Sequence, residues 1–148
     1  MSLQNDIMSA MKTAMKDKDQ IALAALRAVK SELLLAQTSG SGETISEEQE
    51  IKILSKLVKQ RKDSAAIFTE QNRNDLAEPE LAQAKVISQF LPAQLSEAEI
   101  EKVVADTIQK VGAEGMKDMG KVMGMVNKQL AGQADGKTIS TIVKAKLL

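Results

Sequence analysis

With no His and no Cys among its 148 residues, this chain must do any chemistry with carboxylates, hydroxyls, amides and cations. The lack of Cys removes disulfides, thiolate nucleophiles, iron–sulfur clusters and Cys-based zinc sites. The lack of His removes His-containing triads, imidazole proton transfer and His metal ligands. Carboxylates cluster twice, as Glu47, Glu48 and Glu50 and as Glu97, Glu99 and Glu101. Each set follows a serine and opens an apolar-periodic run, where acids complement a helix dipole and complete caps. No acidic spacing resembles an EF-hand loop, and neither G-x-x-x-x-G-K-S/T nor G-x-G-x-x-G occurs. The residues therefore supply no catalytic constellation, no metal ligands and no cofactor site.

The cations carry more information. Lys52, Lys56, Lys59, Arg61 and Lys62 follow one another without an intervening acid. From Lys117 onward, Lys117, Lys121, Lys128, Lys137, Lys144 and Lys146 stand against Asp118 and Asp135 only, a net of +4 in a chain whose formal charge is zero. Basic patches of this kind are the electrostatic route to phosphate, although a lysine-rich helix face is often simply solvated. Phe68 and Phe90 are the sole aromatics, so base-stacking platforms are not expected. Gly120 and Gly124 lie four apart within the second basic stretch, among Met116, Met119, Met123 and Met125. Paired glycines admit a ligand or backbone if they face outward. If they face inward they bring their helix close to a neighbour, and the sequence alone favours that close-packing role.

The elements that must position these residues read as helices throughout. Hydrophobic residues make up 43% of the chain, and Ala, Leu, Met, Lys, Gln and Glu, good helix formers, dominate. Leu3, Ile7, Met11, Ala14 and Met15 predict a helix near 2–17. Ile21, Leu23, Leu26, Val29 and Leu33 predict a second near 20–37, capped by Asp19. Ser39-Gly40-Ser41-Gly42 reads as a loop. Ser46 and Gln49, behind Ile45, form a capping box for a third helix with Leu54, Leu57, Val58, Ala65 and Phe68, running to about Asn72. A fourth, near 76–90, carries Leu81, Ala84, Ile87 and Leu91, with Pro79 in its first turn. Leu91-Pro92-Ala93-Gln94-Leu95 reads as a linker. Beyond it come a capping box at Ser96 and Glu99, a helix closing at Gly112, one near 119–130 capped by Asp118, and one near 136–147 capped by Asp135. The expected fold is all-α, with a four-helix N-terminal domain over 1–92 and a small three-helix C-terminal domain over 95–148. No run of about 18 apolar residues is present, and Met1–Lys18 lacks the apolar block of a signal peptide. A cytoplasmic location without membrane attachment is expected.

Lys117-Asp118-Met119-Gly120-Lys121-Val122-Met123-Gly124, then Gly132-Gln133-Ala134-Asp135-Gly136-Lys137 and Ile142-Val143-Lys144, resemble the C-terminal signature of the YqeY-like family. Arg61-Lys62-Asp63-Ser64-Ala65, Phe68, Asn72-Arg73-Asn74-Asp75-Leu76-Ala77 and Phe90-Leu91-Pro92-Ala93-Gln94-Leu95-Ser96 fit the same family in the same order. Pro79 stands where that pattern would have a charged residue. The resemblance implies an all-helical protein of two parts, the second similar to the tail domain of the B subunit of the glutamine-dependent aminoacyl-tRNA amidotransferase. There the tail helps engage tRNA, while ammonia release, activation by ATP and amide transfer take place elsewhere. Stand-alone members carry the attribution of a carbon–nitrogen ligase with glutamine as amido-N donor, which follows from the shared tail.

Transamidation needs an ammonia source and an ATP–Mg²⁺ site, and no residue pattern here supplies either. The expectation is therefore an accessory tRNA-binding module without catalytic activity of its own. Lys117, Lys121, Lys128, Lys137 and Lys144 would form its RNA-binding surface, with Gly120 and Gly124 on the same helix. Lys137 would be helped by free N–H groups at the start of the last helix. The competing expectation is a helical protein–protein adaptor that docks on an aminoacyl-tRNA synthetase or amidotransferase through the Met-rich face.

Overall fold

The computed structural model describes residues 2–40 and 44–148, so Ser41 and Gly42 of the expected loop lie outside the described residues. Among the described residues the chain is all-helical and contains no strand. Seven helices follow in order: α1 (Leu3–Lys16), α2 (Gln20–Ser39), α3 (Glu47–Glu70), α4 (Asn74–Ser88), α5 (Glu97–Val111), α6 (Met119–Gln129) and α7 (Gly136–Leu147), with a 3-10 turn at Met116–Asp118 before α6. They fall into two compact units, Met1–Leu91 and Pro92–Leu148.

In the first unit α3 and α4 form a helical hairpin, and α2 packs against α1 and α4. The apolar stripes meet at Ile7 and Ala14 of α1, Leu23, Ala25, Leu26, Val29 and Leu33 of α2, Leu54, Leu57 and Val58 of α3, and Ala84 and Ile87 of α4. Ser2, Asp19 and Ser46 cap the first three helices by accepting backbone N–H bonds, and Ser46 with Gln49 makes the full reciprocal box. Arg61, half-buried, ties the hairpin together: its Nε donates to Gln83 Oε1 at 3.0 Å and its Nη1 to the Leu57 carbonyl at 3.2 Å.

Among the described residues, two helix ends are closed by a left-handed residue other than glycine. After α1, the N–H of Asp19 reaches the Ala14 carbonyl and that of Lys18 the Met15 carbonyl. After α3, Arg73 and Asn72 do the same to Phe68 and Thr69. Both are Schellman motifs, which need one left-handed residue. Lys18 and Asn72 take that conformation at φ +56° and +58°. Asn tolerates it readily and Lys less so.

α4 begins at Asn74, two residues earlier than the apolar spacing indicates. Pro79 is thus its sixth residue, in the second turn rather than the first, and the Asp75 carbonyl loses the N–H it would have received. Asp75 is exposed, so water can serve that carbonyl instead. Arg73 grips the Asp75 carboxylate at both ends, Nε to Oδ1 and Nη2 to Oδ2, each at 3.0 Å. Those bonds hold the Asp75 carboxyl below its ordinary value and raise the Arg73 guanidinium above its own. A carboxyl depressed in the folded state stabilises it above the unfolded-state pKa, and that contribution is lost as pH falls through the folded value. NMR titration of the Asp75 side chain is expected to show the depression, and Arg73→Ala to return it upward. An unmoved Asp75 in that variant would exclude the pairing.

In the second unit α5, α6 and α7 pack pairwise around Ile100, Val104, Val122, Val126, Leu130, Ile139, Val143 and Leu147. Ser96 and Glu99 form the second capping box, and Gly112 ends α5 at φ +67°. The segment read as a linker is tied into this unit. The Leu95 N–H donates to the Gln133 carbonyl at 2.9 Å, and Gln94 Nε2 donates to the carbonyls of Gly132 and Pro92. Thr107, polar and buried, is satisfied by donating to the Val103 carbonyl at 2.8 Å.

Some expected core positions lie outside. Met15, Ile21 and Leu81 are exposed: Met15 and Leu81 sit at the margins of their stripes, and Ile21 is turned away from the side of α2 that carries Leu26, Val29 and Leu33. Leu54, Leu57, Val58 and Ala65 of α3 are buried as the periodicity indicates, with Phe68 half-buried.

Candidate functional site

α6 is the element around which the second basic stretch is built. Val122 and Val126 are fully buried, and with Leu130 they hold one side of the helix in the core. At 100° per residue, Gly120, Lys121, Gly124 and Lys128 fall on the opposite side. Both lysines and both glycines are exposed. Lys117, in the 3-10 turn just ahead, is exposed as well.

The close-packing role expected for Gly120 and Gly124 is overturned. A Cβ built on either would meet nothing within 4 Å among the described residues. The glycines do not bring α6 against α5 or α7; the valine face does that. They leave a bare strip of backbone on the solvent side, flanked by cations. In a helix interior Gly costs about 1 kcal/mol against Ala, so Gly124→Ala is expected to raise stability by about that amount in chemical denaturation. A destabilised variant would mean that Gly124 is packed against a neighbour in the fold and would overturn the open strip.

Asp118 does not cap α6 with its side chain. Its Oδ2 accepts instead from the Glu114 N–H at 3.0 Å, turning the carboxylate back toward the α5–α6 connection. No other acid occurs between Met119 and Ala134, so the outward face of α6 carries positive charge alone. The methionines divide. Met119 and Met123 pack against the core, while Met116 and Met125 are exposed.

Lys137 and Lys144, both exposed, share the outward stripe of α7 at a spacing of seven. Their surroundings differ from those of the α6 lysines. Lys137 lines an open groove of about 400 Å³ with Glu97, Glu101, Thr138, Ile142 and Lys146, so two carboxylates share its space. The N-terminus of α7 is also occupied: Asp135 Oδ1 accepts from the Lys137 N–H at 3.5 Å. A phosphate there would meet an acid where free N–H groups were expected.

The α3 cations are less available than their run implies. Lys52 pairs with Glu48 at 3.6 Å and Lys59 with Asp63 at 3.0 Å, while Arg61 holds the hairpin. The acids that neutralise this patch lie four residues away, just outside the run of cations. In the first turn of the same helix Glu50 is pushed up by partial burial and by Glu47. The crowding is that of a helix start, with no base or nucleophile placed to use it. Among the described residues no group of three or more acids is gathered to hold a metal ion. Among the same residues no helix is long and apolar enough to cross a membrane.

A two-unit all-helical chain whose second unit presents lysines around an open glycine strip is the class of protein defined here. Residues 4–147 match the family model described as Yqey-like protein, and the chain belongs to the YqeY family. Its relatives are of two kinds. It is 37% identical over 73 residues to the E subunit of glutamyl-tRNA(Gln) amidotransferase from Thermococcus gammatolerans, covering 47% of this chain and 12% of that protein. It is 33% identical over 127 residues to altered inheritance of mitochondria protein 41, mitochondrial, of Meyerozyma guilliermondii, covering 84% of this chain and 66% of that protein. The corresponding protein of Pyrenophora tritici-repentis is 29% identical over 144 residues, 92% of this chain and 78% of its own length. The chain thus spans about an eighth of the archaeal relative and about two thirds of the first fungal one.

Proposed function

We propose that this protein is an accessory tRNA-binding module that engages the sugar–phosphate backbone through α6 of its second unit. The observation that carries the reading is the outward face of α6: Lys117, Lys121 and Lys128 around Gly120 and Gly124, with open space over both glycines and no acid along the helix. Cations supply the attraction, and the missing Cβ atoms let a phosphate backbone approach the helix closely. Similarity to part of a glutamyl-tRNA(Gln) amidotransferase supports tRNA as the nucleic acid. Lys144 adds to the field, whereas Lys137 contributes less because Glu97, Glu101 and Asp135 stand beside it. Binding of this kind reads shape and charge, since the chain has almost no aromatic surface on which bases could stack. The amide-transfer chemistry named for the archaeal relative belongs, on this reading, to partner proteins.

The test is a tRNA gel shift or anisotropy titration at two salt concentrations. With about five phosphates neutralised, affinity falls about a hundredfold or more between 50 and 200 mM salt. Absence of binding at low salt would refute the reading. One observation favours a second: Met116 and Met125 are exposed beside the same face, and Met suits an adaptable protein interface. An adaptor docking on an amidotransferase or aminoacyl-tRNA synthetase would survive nuclease treatment in a pull-down, whereas an association bridged by tRNA would not.

A further inference from the structure

α2 carries a second, unused face. Leu26, Val29 and Leu33 fix its core side. Almost opposite them run Ile21, Ala24, Ala28, Ser31, Leu35 and Thr38, spaced three, four, three, four and three apart. That is the 3.5-residue period of a two-helix seam. No charged residue interrupts it over about 25 Å of helix, although 27% of the chain is charged. Ile21 is 40% and Leu35 61% exposed, with Leu34 at 48% on the margin. The middle of the seam is small, Ala24, Ala28 and Ser31, so another helix can come close there. α1, α3 and α4 all pack against α2, yet Ile21, Ala24, Ser31, Leu35 and Thr38 stay exposed and Ala28 half-buried.

The flanks of the seam name the occupant. Arg27 borders it on one side and Glu32, five residues later, on the other. Among the described residues neither takes part in an ion pair. When two copies of α2 lie parallel and in register, Arg27 of each meets Glu32 of the other, the g-to-e′ pairing of a parallel coiled coil. One surface thus carries both halves of the match, which is the property of an isologous two-fold interface.

We propose that this protein forms a homodimer in which α2 of one copy packs parallel to α2 of a second copy, with two reciprocal Arg27–Glu32 pairs flanking the Ile21–Thr38 seam. A single helix pair buries less than a standard stable interface, so the dimer is weak and reversible, with a dissociation constant on the order of tens of micromolar.

Sedimentation equilibrium of the full chain, from micromolar to millimolar concentration, is expected to show a monomer–dimer equilibrium. Arg27→Glu should weaken it about tenfold by opposing like charges on both flanks, and adding Glu32→Arg should restore it. Because the chain has no Cys, a single introduced thiol reports proximity cleanly. Under oxidised glutathione, Ser31→Cys in the seam is expected to give a disulfide-linked dimer and exposed Lys30→Cys beside it is not. Circular dichroism checks that each variant stays helical. A chain that remains monomeric at millimolar concentration overturns the proposal. So does a dimer that is insensitive to Arg27→Glu and is not trapped by Ser31→Cys.

Discussion

Replacing Lys117, Lys121 and Lys128 together with Glu is expected to lower tRNA affinity at 50 mM salt by about a hundredfold, at about 1 kcal/mol for each charged interaction broken at an exposed surface. The slope of log affinity against log salt should also shrink by about three, roughly one for each phosphate no longer neutralised. All three side chains project into solvent, so the variant should keep its helical circular dichroism. The sequence alone would put Lys137 in this set. It is left out of the variant because Lys137 shares its groove with Glu97 and Glu101 and its own N–H is held by Asp135, so its contribution should be smaller. Charge reversal of Lys52, Lys56 and Lys59 is the control and should matter less, since Lys52 and Lys59 already face Glu48 and Asp63. Equal binding by the α6 variant and the wild type would move the RNA surface elsewhere or leave the adaptor reading in first place.

The second large effect is on stability. Ile139 is 1% exposed at the centre of the α5–α6–α7 core, and Ile139→Ala is expected to cost about 2–5 kcal/mol. A unit of about 57 residues has total stability on the order of 3–9 kcal/mol, so this one truncation consumes much of it. Ile142→Ala, half-buried at the groove and packed on the edge of the same core, should cost less than Ile139→Ala, because part of its side chain stays in water in the folded state. The chain has no Trp or Tyr, so the measurement is circular dichroism with amide hydrogen exchange. In Ile139→Ala the amides of α5, α6 and α7 should lose protection while those of α1–α4 keep theirs. Simultaneous loss throughout would show that the two units unfold as one.

Helix identity was legible because several independent signals coincided on the same residues. At Ser46 and Ser96 a serine stands three residues before Gln49 and Glu99 and just ahead of an apolar period, and both boxes form in full. Gly112 announces a left-handed helix end and takes that conformation. Lys18 and Asn72 close their helices in the same way, but nothing in a Lys side chain advertises it. There the geometry comes from the turn that carries the chain back onto its own bundle. Asp118 shows the converse. Its position before an apolar run predicts a cap, yet the carboxylate takes the Glu114 N–H instead of one in the first turn of α6.

The sequence by itself determined the all-helical fold, the helix order and the alternation of buried and solvent faces. These follow from 3.6-residue periodicity and from caps that operate within a few residues. It also excluded thiol and imidazole chemistry by composition. Only the tertiary structure decided which side of α6 the glycines occupy. A stripe of Val122, Val126 and Leu130 can turn inward with glycines at its edge or at its back, and a spacing of four fits either. The neighbours settled it: the valines fill the space against α5 and α7, so the glycines are left facing water. Which lysines have acids beside them was likewise a tertiary outcome, because charge acts through space: Glu97 and Glu101 lie some forty residues before Lys137 in the chain and line the same groove.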